Sequence, residues 1–191
     1  MENITLGFAM CGSFCTYESV LCELERLRGE FEVIVPILSE RSASTDTRFG
    51  LAADIRRRVE DICGRAAITS VAGAEPIGPK KLLDALLIMP CTGNTIAKLA
   101  LGVTDSAVTM AAKAQLRNER PVILAVSTND ALAGNARNIG ELLGRSHYYF
   151  VPFCQDDPIG KPRSLVADFA RAGDTVIEAM KGRQIQPILL G

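Results

Sequence analysis

The sequence predicts an α/β fold of three layers, in which a central parallel sheet lies between two layers of helices. Three observations support this prediction. Short apolar runs of strand length alternate with amphipathic helical segments up to about residue 151. The runs are apolar throughout, as strands are when helices cover both faces of a parallel sheet. Polar turns rich in Ser, Thr, Gly and Asn follow four of them, as expected where a strand passes into a helix.

The first half of the chain predicts three strands, at 4–10, 31–38 and 67–71. The first strand stops at Cys11-Gly12-Ser13, and Thr16 can cap the helix that follows it, which Gly29 can close. The second strand leads into a polar stretch at 39–49, which is interpreted as a loop. An amphipathic helix then carries Leu51, Ile55, Val59 and Ile62 on one face.

The second half predicts strands at 85–89, 121–126 and 148–151, the last strand of the sheet, and a closing helix at 168–180. Asp105 can cap a helix that runs to about Asn118. Neither a linker nor an internal repeat interrupts the pattern. The prediction is therefore one domain over residues 1–191, in which 152–191 form a carboxy-terminal arm and helix.

The amino-acid composition excludes several classes of protein. A hydrophobic content of 48% with 23% charged residues excludes a disordered chain and suggests enough burial to include a subunit interface, so a homo-oligomer is expected. A net charge of -1 gives no basic face for nucleic acid. The apolar runs fall short of the roughly 20 residues of a membrane span, and the first ten residues lack a basic region. We therefore expect a cytoplasmic protein without nucleic-acid or membrane partners.

The six cysteines lack a CxxC pair, and the chain has one histidine. This pattern favours reduced thiols that pack as small hydrophobic residues, and it argues against a metal site. Cys91 stands at the mouth of a polar loop, but without a neighbouring histidine it is interpreted as a packing residue and not as a nucleophile.

Hydroxyl-rich turns at the predicted strand ends indicate a phosphate site. Hydroxyl donors, small residues and free amides at helix starts are what a bound phosphate needs. The candidate residues are Gly12, Ser13, Ser39, Thr92, Gly93, Asn94, Thr95, Ser127 and Thr128. Any one of these turns alone is more simply an ordinary helix cap, but four turns at one edge of a sheet favour a nucleotide.

The type of nucleotide follows from motifs that are missing. Residues 7–13 read G-x-x-x-x-G-S and lack the lysine of a P-loop, so ATP is disfavoured. The dinucleotide fingerprint G-x-G-x-x-G does not occur. A single phosphate held by hydroxyls and amides without a metal fits a mononucleotide such as FMN.

At this point the motifs resemble a known family. The turn Cys11-Gly12-Ser13 and the segment PCTGNTIAKLA at 90–100, with Gly102 and Asp105, resemble the homo-oligomeric flavoprotein family that includes cysteine decarboxylases and flavin prenyltransferases. The resemblance implies a Rossmann-like (flavodoxin-like) fold, an FMN cofactor, and a trimer or dodecamer with flavin between subunits. It also implies that Gly12, Ser13, Ser39, Thr92 and Thr95 hold the flavin phosphate, while Ser127 and Thr128 flank the ribityl chain or ring.

Longer segments resemble one branch of this family more specifically. They are TDTRFG at 45–50, AEPIGPK at 74–80, STNDAL at 127–132 and PFCQDDP at 152–158. The resemblance implies one component of an oxidoreductase that acts during sporulation on a small cyclic dicarboxylate, with NADP on a separate partner chain. Arg48 is then the candidate clamp for a substrate carboxylate, and Asp130 the candidate base.

Differences between this sequence and the family motifs narrow the set of reactions that the chain could catalyse. The decarboxylases have a proline-x-methionine-asparagine segment and a catalytic histidine, and residues 129–135 contain neither. The prenyltransferases place an arginine where this chain has Met110. Two alternatives to the oxidoreductase component stay open. One is a non-catalytic chain that binds FMN or serves assembly, and the other is a stand-alone flavin-dependent decarboxylase.

Overall fold

The computed structural model describes residues 4–191 and has a seven-stranded mixed sheet at its centre. The strands are β1 Thr5–Met10, β2 Val33–Leu38, β3 Ala85–Cys91, β4 Val122–Thr128, β5 Tyr148–Phe150, β6 Phe153–Cys154 and β7 Leu165–Ala167. Five of them are parallel, in the order β2-β1-β3-β4-β5. The short strand β7 pairs antiparallel with the end of β4, and β6 pairs antiparallel with β7.

Helices flank this sheet. They are α1 Tyr17–Glu30, α2 Glu40–Ser44, α3 Ala52–Cys63, α4 Val71–Ala74, α5 Gly93–Leu101, α6 Ala107–Arg117, α7 Ala136–Leu143 and α8 Ala172–Met180. Short 3₁₀ turns occupy Phe14–Thr16, Glu75–Ile77 and Phe169–Arg171. Every helix within residues 4–191 is too short or too polar to cross a membrane.

The core explains why the central strands read as continuous apolar runs. All seven residues of β3 are buried, and so are the first six of β4. Since β3 lies between β1 and β4, its side chains meet protein on both faces of the sheet. One hydrophobic cluster runs from Leu6 in β1 to Ala179 in α8, so the carboxy-terminal helix belongs to the same core.

The structure confirms five of the six predicted strands, which form the parallel part of the sheet, and corrects several details. The sheet is mixed and not wholly parallel, and the strand at 148–151 is not the last, because β6 and β7 follow it. Residues 67–71 do not form a strand; Ile68 makes one isolated bridge to Ile37 before α4 begins. The predicted loop at 39–49 contains α2.

Three predicted helix caps are also wrong. Gly29 does not close α1, because it lies inside that helix and Phe31 is the C-cap. The other two predicted caps concern helix starts. Ser106, and not Asp105, caps α6. Its hydroxyl oxygen accepts from the Thr109 amide, and the Thr109 hydroxyl oxygen accepts from the Ser106 amide. Thr16 does not cap α1 through its side chain, because its hydroxyl donates to the carbonyl of Ser13. Both outcomes follow from competition, since several neighbouring residues of capping type are available at each site.

Candidate functional site

A cleft of about 550 Å³ opens at the carboxyl ends of β1, β2 and β3. Its lining comes from four places in the chain: the turn after β1, the start of α2, the start of α5 and the turn before α6. The lining residues are Cys11, Gly12, Ser39, Glu40, Arg41, Thr92, Asn94, Thr95, Lys98, Asp105 and Ser106. Ligands of open α/β sheets bind at this edge, so the cleft is the candidate site.

The start of α5 forms one wall of the cleft. Thr92 caps this helix, and its Oγ1 accepts a hydrogen bond from the Thr95 amide at 3.4 Å. The two threonine hydroxyls lie 3.1 Å apart, and the Thr95 hydroxyl also donates to the Cys11 sulfur at 3.1 Å. These contacts fix both hydroxyls beside a helix start, where free amides carry partial positive charge.

The turn after β2 forms a second wall. Ser39 caps α2, accepting from the Ser42 amide at 3.2 Å. Buried Ser42 donates to the Met10 carbonyl and accepts from the Tyr17 hydroxyl, which ties α2 to the turn after β1. Burial raises the pKa of Tyr17 to about 12, so its hydroxyl stays a neutral donor across the physiological range.

The turn after β1 connects to the end of β4. The hydroxyl oxygens of Ser13 and Ser127 are 2.9 Å apart, and Ser127 is itself buried. Ser127 and Thr128 also pair with Val166 and Leu165 of β7. Neither Ser13 nor Ser127 lines the cleft, so the structure places this pair behind its wall.

Gly93, the first residue of α5, packs against a polar chain from the loop after β4. The Asp130 carboxylate accepts from the Thr128 hydroxyl at 2.6 Å and from the Asn135 side-chain amide at 2.8 Å. The Asn135 side-chain oxygen accepts in turn from Asn138 at 2.9 Å. A Cβ on Gly93 would lie within 2.7 Å of atoms of Thr128, Asp130 and Asn135, so only glycine fits here.

Four charged side chains line the cleft. Lys98 pairs with Asp105 at 2.8 Å. Glu40 accepts from the backbone amide of Ala107 at 3.2 Å, at the start of α6. Arg41 belongs to the same short helix as Glu40. The cleft therefore carries two charges of each sign, with neutral hydroxyl and amide donors between them.

The cysteines near the cleft are inert. Burial raises the pKa of Cys11 to about 11, even though the Thr95 hydroxyl donates to its sulfur. Burial also raises the pKa of Cys91 well above its ordinary value, with Cys11 nearby adding to the shift. Because the thiolate is the nucleophilic form, neither residue can act as a nucleophile at neutral pH.

The structure places the predicted site residues in three groups. Gly12, Ser39, Thr92, Asn94 and Thr95 line the cleft. Gly93, Ser13, Ser127, Thr128 and Asp130 lie behind its walls or in the adjoining polar chain. Arg48 does not line the cleft, and its guanidinium lies 4.8 Å from the centre of the Phe49 ring.

Sequence reasoning assigned no ligand role to six lining residues, namely Cys11, Glu40, Arg41, Lys98, Asp105 and Ser106. The position of Arg41 two residues after Ser39 was the available signal for its place in the cleft. Arg41 was not recognised as a lining residue because residues 39–49 were predicted to form a loop. Lys98 and Asp105 are charged residues on either side of a helix end, a pattern that also suits the protein surface.

Comparison with known proteins extends these observations. The family described as Flavoprotein matches residues 1–159. The dipicolinate synthase B subunit of Bacillus subtilis (strain 168) is 46% identical over 190 residues, which cover 100% of this chain and 95% of the relative.

Solved structures agree with the sequence matches. The crystal structure of the dipicolinate synthase B subunit from Bacillus halodurans C superposes with a TM-score of 0.90 at 41% identity, covering 98% of this chain and 96% of that one. The FMN-dependent cysteine decarboxylase SpaF gives a TM-score of 0.69 at 24% identity, over 92% and 97% of the two chains. The first match confirms the predicted flavodoxin-like fold, and the second shows the same fold at greater distance.

Proposed function

Because the chain belongs to the flavoprotein family, as its motifs predicted, we propose that it serves as the B subunit of a dipicolinate synthase. Together with the A subunit of that enzyme, which carries NADP, it oxidises dihydrodipicolinate to dipicolinate in the cytoplasm of the mother cell of a sporulating bacterium. The reaction removes a hydride and a proton from a dihydropyridine ring, and the gain of aromaticity drives it. NADP on the A subunit is the final hydride acceptor.

The observation that carries the proposal is the set of neutral donors at the strand ends. The amides in the first turn of α5 and the hydroxyls of Ser39, Thr92 and Thr95 face one cleft, and Gly12 adds no side chain to it. This donor set fits the phosphate of FMN, which needs hydrogen bonds and helix amides but no metal. When bound, FMN supplies a ring that can accept a hydride.

Two residues of this chain are candidates for the chemistry. Asp130 would take the proton, since the Thr128 hydroxyl and the Asn135 amide hold its carboxylate in a fixed orientation while it remains exposed. Arg48, in the exposed loop after α2, would hold one substrate carboxylate. Because Arg48 is exposed and does not line the cleft, we propose that it acts at the contact with the A subunit.

A second candidate function is a chain that binds FMN or serves assembly while the A subunit performs the chemistry. The position of Arg48 outside the cleft favours it, as does the engagement of both Asp130 carboxylate oxygens by neighbouring residues. Either function suits a single domain that forms a homo-oligomer, a trimer or a dodecamer, the assemblies that the family resemblance implies. Mass photometry of the purified chain measures its assembly, and a stable monomer would contradict the oligomer.

Reconstitution with the purified A subunit tests the proposal. Dihydrodipicolinate oxidation is measured as NADPH formation, with and without this chain and with and without FMN. We expect oxidation to require both chains and added FMN to increase it. Full oxidation by the A subunit alone would remove the catalytic proposal. A requirement for this chain that survives Arg48→Ala and Asp130→Asn would favour the second candidate.

A further inference from the structure

The cleft contains one cation that no side chain of the described residues neutralises. Lys98 is paired with Asp105, whose carboxylate offsets part of the positive charge of the ammonium group. Within residues 4–191, the Arg41 guanidinium makes neither an ion pair nor a side-chain hydrogen bond, yet it lines the same cleft. An unpaired arginine in a concave site lined with hydroxyls is free to bind an anion.

The backbone brings Arg41 close to the residues proposed to hold phosphate. It is the second residue of α2, which Ser39 caps. On the other side, the Arg41 Cβ lies 3.9 Å from the position that a Cβ on Gly12 would take. The side chain therefore starts between the turn after β1 and the turn after β2.

The negative charge of the neighbouring Glu40 makes the Arg41 guanidinium more important for binding an anion. The Glu40 carboxylate also lines the cleft and is held by the Ala107 amide. A carboxylate near a phosphate is repulsive, so the neutral donors alone would face an unfavourable field. A guanidinium on the adjacent residue offsets that repulsion, and its planar donors match phosphate oxygens in pairs.

We propose that Arg41 pairs with the phosphate of the bound flavin nucleotide and thereby strengthens the preference of this site for FMN over riboflavin. The inference rests on the proposed function in that it takes a flavin as the ligand. It goes further in assigning to one side chain an ionic contribution to this discrimination, beside the neutral donors that also contact the phosphate. Riboflavin shares the ring and the ribityl chain but lacks the phosphate, so Arg41 contributes only to FMN binding.

Flavin titrations test this assignment without an activity assay. FMN and riboflavin are titrated separately into the wild type, Arg41→Gln and Arg41→Lys, and flavin fluorescence is measured. We expect Arg41→Gln to weaken FMN binding roughly tenfold to a hundredfold, as loss of a hydrogen bond between charged groups does, and to leave riboflavin binding unchanged. Arg41→Lys should recover part of the FMN affinity. Raising the salt concentration should weaken FMN binding to the wild type more than to Arg41→Gln.

The matched control is Arg57→Gln on α3, whose side chain is 70% exposed and pairs with Asp54. It should alter neither titration. Equal losses of FMN and riboflavin affinity in Arg41→Gln would indicate a structural role and overturn the assignment. A wild type that binds neither flavin would remove the cofactor part of the proposed function together with this inference. A wild type that binds FMN no more tightly than Arg41→Gln does would remove the inference alone.

Discussion

The hydroxyl oxygens of Ser13 and Ser127 lie 2.9 Å apart, although 114 positions separate the two residues in the chain. Ser13 follows β1 and Ser127 belongs to β4, and β3 lies between those strands in the sheet. The bond therefore crosses the end of the central strand. Replacing either serine by alanine should lower the free energy of unfolding by about 1 kcal/mol, because the remaining hydroxyl loses its partner at a buried or half-buried position.

Urea unfolding of the two single variants and the double variant measures this coupling. The double variant should lose less than the sum of the single losses, since both single variants break the same bond. Thr104→Ala is the control, because the Thr104 hydroxyl donates to the nearby Gly102 carbonyl, at 3.3 Å, on the protein surface. Strictly additive losses would show that the two serine hydroxyls act independently.

Gly93→Ala should damage both stability and flavin binding. The added methyl group would lie 2.5 Å from the Asn135 side-chain nitrogen and 2.7 Å from an Asp130 carboxylate oxygen. Relief requires the polar chain or the first turn of α5 to move, which should cost about 1–3 kcal/mol of unfolding free energy. Thermal unfolding and FMN titration measure the two effects.

The matched control is Gly140→Ala. Gly140 is an exposed residue in the middle of α7, where a new Cβ would meet nothing within 4 Å. Alanine should stabilise that helix by up to about 1 kcal/mol. If Gly93→Ala also left the melting temperature unchanged, the close packing of Thr128, Asp130 and Asn135 on α5 would be contradicted.

Stability should fall as the pH rises above 9. Burial raises the pKa of Cys11 to about 11 and that of Cys63 to about 12, from an ordinary value of 9.0. Between these values the unfolded chain loses thiol protons that the folded chain keeps, so the unfolded state is favoured. The stabilisation is complete below pH 9 and is lost as the pH rises through 11, by roughly 1–3 kcal/mol for each thiol.

Urea unfolding at pH values from about 8 to about 11 measures this loss, because the range spans the ordinary and the raised thiol pKa values. Cys63→Ala should flatten the pH dependence, whatever it does to stability at the lowest pH. Cys22→Ala is the control, because Cys22 is exposed on α1. An unfolding free energy that stays constant over the whole range would show that these thiols are not buried as described.

Five of the six cysteines should divide into two classes toward iodoacetamide at mildly alkaline pH; the sixth, Cys154, is of intermediate burial. Cys15 and Cys22 are exposed and should be alkylated first. Cys11, Cys63 and Cys91 should resist, because burial both shields them and keeps them protonated. Peptide mass spectrometry over time, with and without urea, assigns each thiol. Rapid alkylation of Cys91 in the folded protein would reverse its interpretation as a packing residue.

Much of the cleft could be predicted because its residues follow buried strands directly. Ser39 and Thr92 each stand one position after an apolar run, and the carboxyl ends of parallel strands meet at one edge. The charged lining could not be predicted in the same way. Glu40 reaches Ala107 across 67 positions, and no local pattern encodes such a contact.

The elements that were missed are short. Strands β6 and β7 have two and three residues, too few to show alternation, and α2 has only five residues. Asp105, the predicted cap of α6, instead pairs with Lys98 of the preceding helix. Such choices are made by tertiary contacts and not by local propensity.

The pairing of β7 with Ser127 and Thr128 means that the end of β4 gains its second neighbour late in the chain. The end of β4 has β3 on one side, and its other side is covered only when Leu165 and Val166 arrive. A nascent chain that has reached α7 would hold every residue lining the cleft and still expose the backbone edge of β4. Such an open edge can pair with strands of other molecules. Residues 165–167 thus close an edge that would otherwise be open to strands of other molecules, and they join β6 to the sheet.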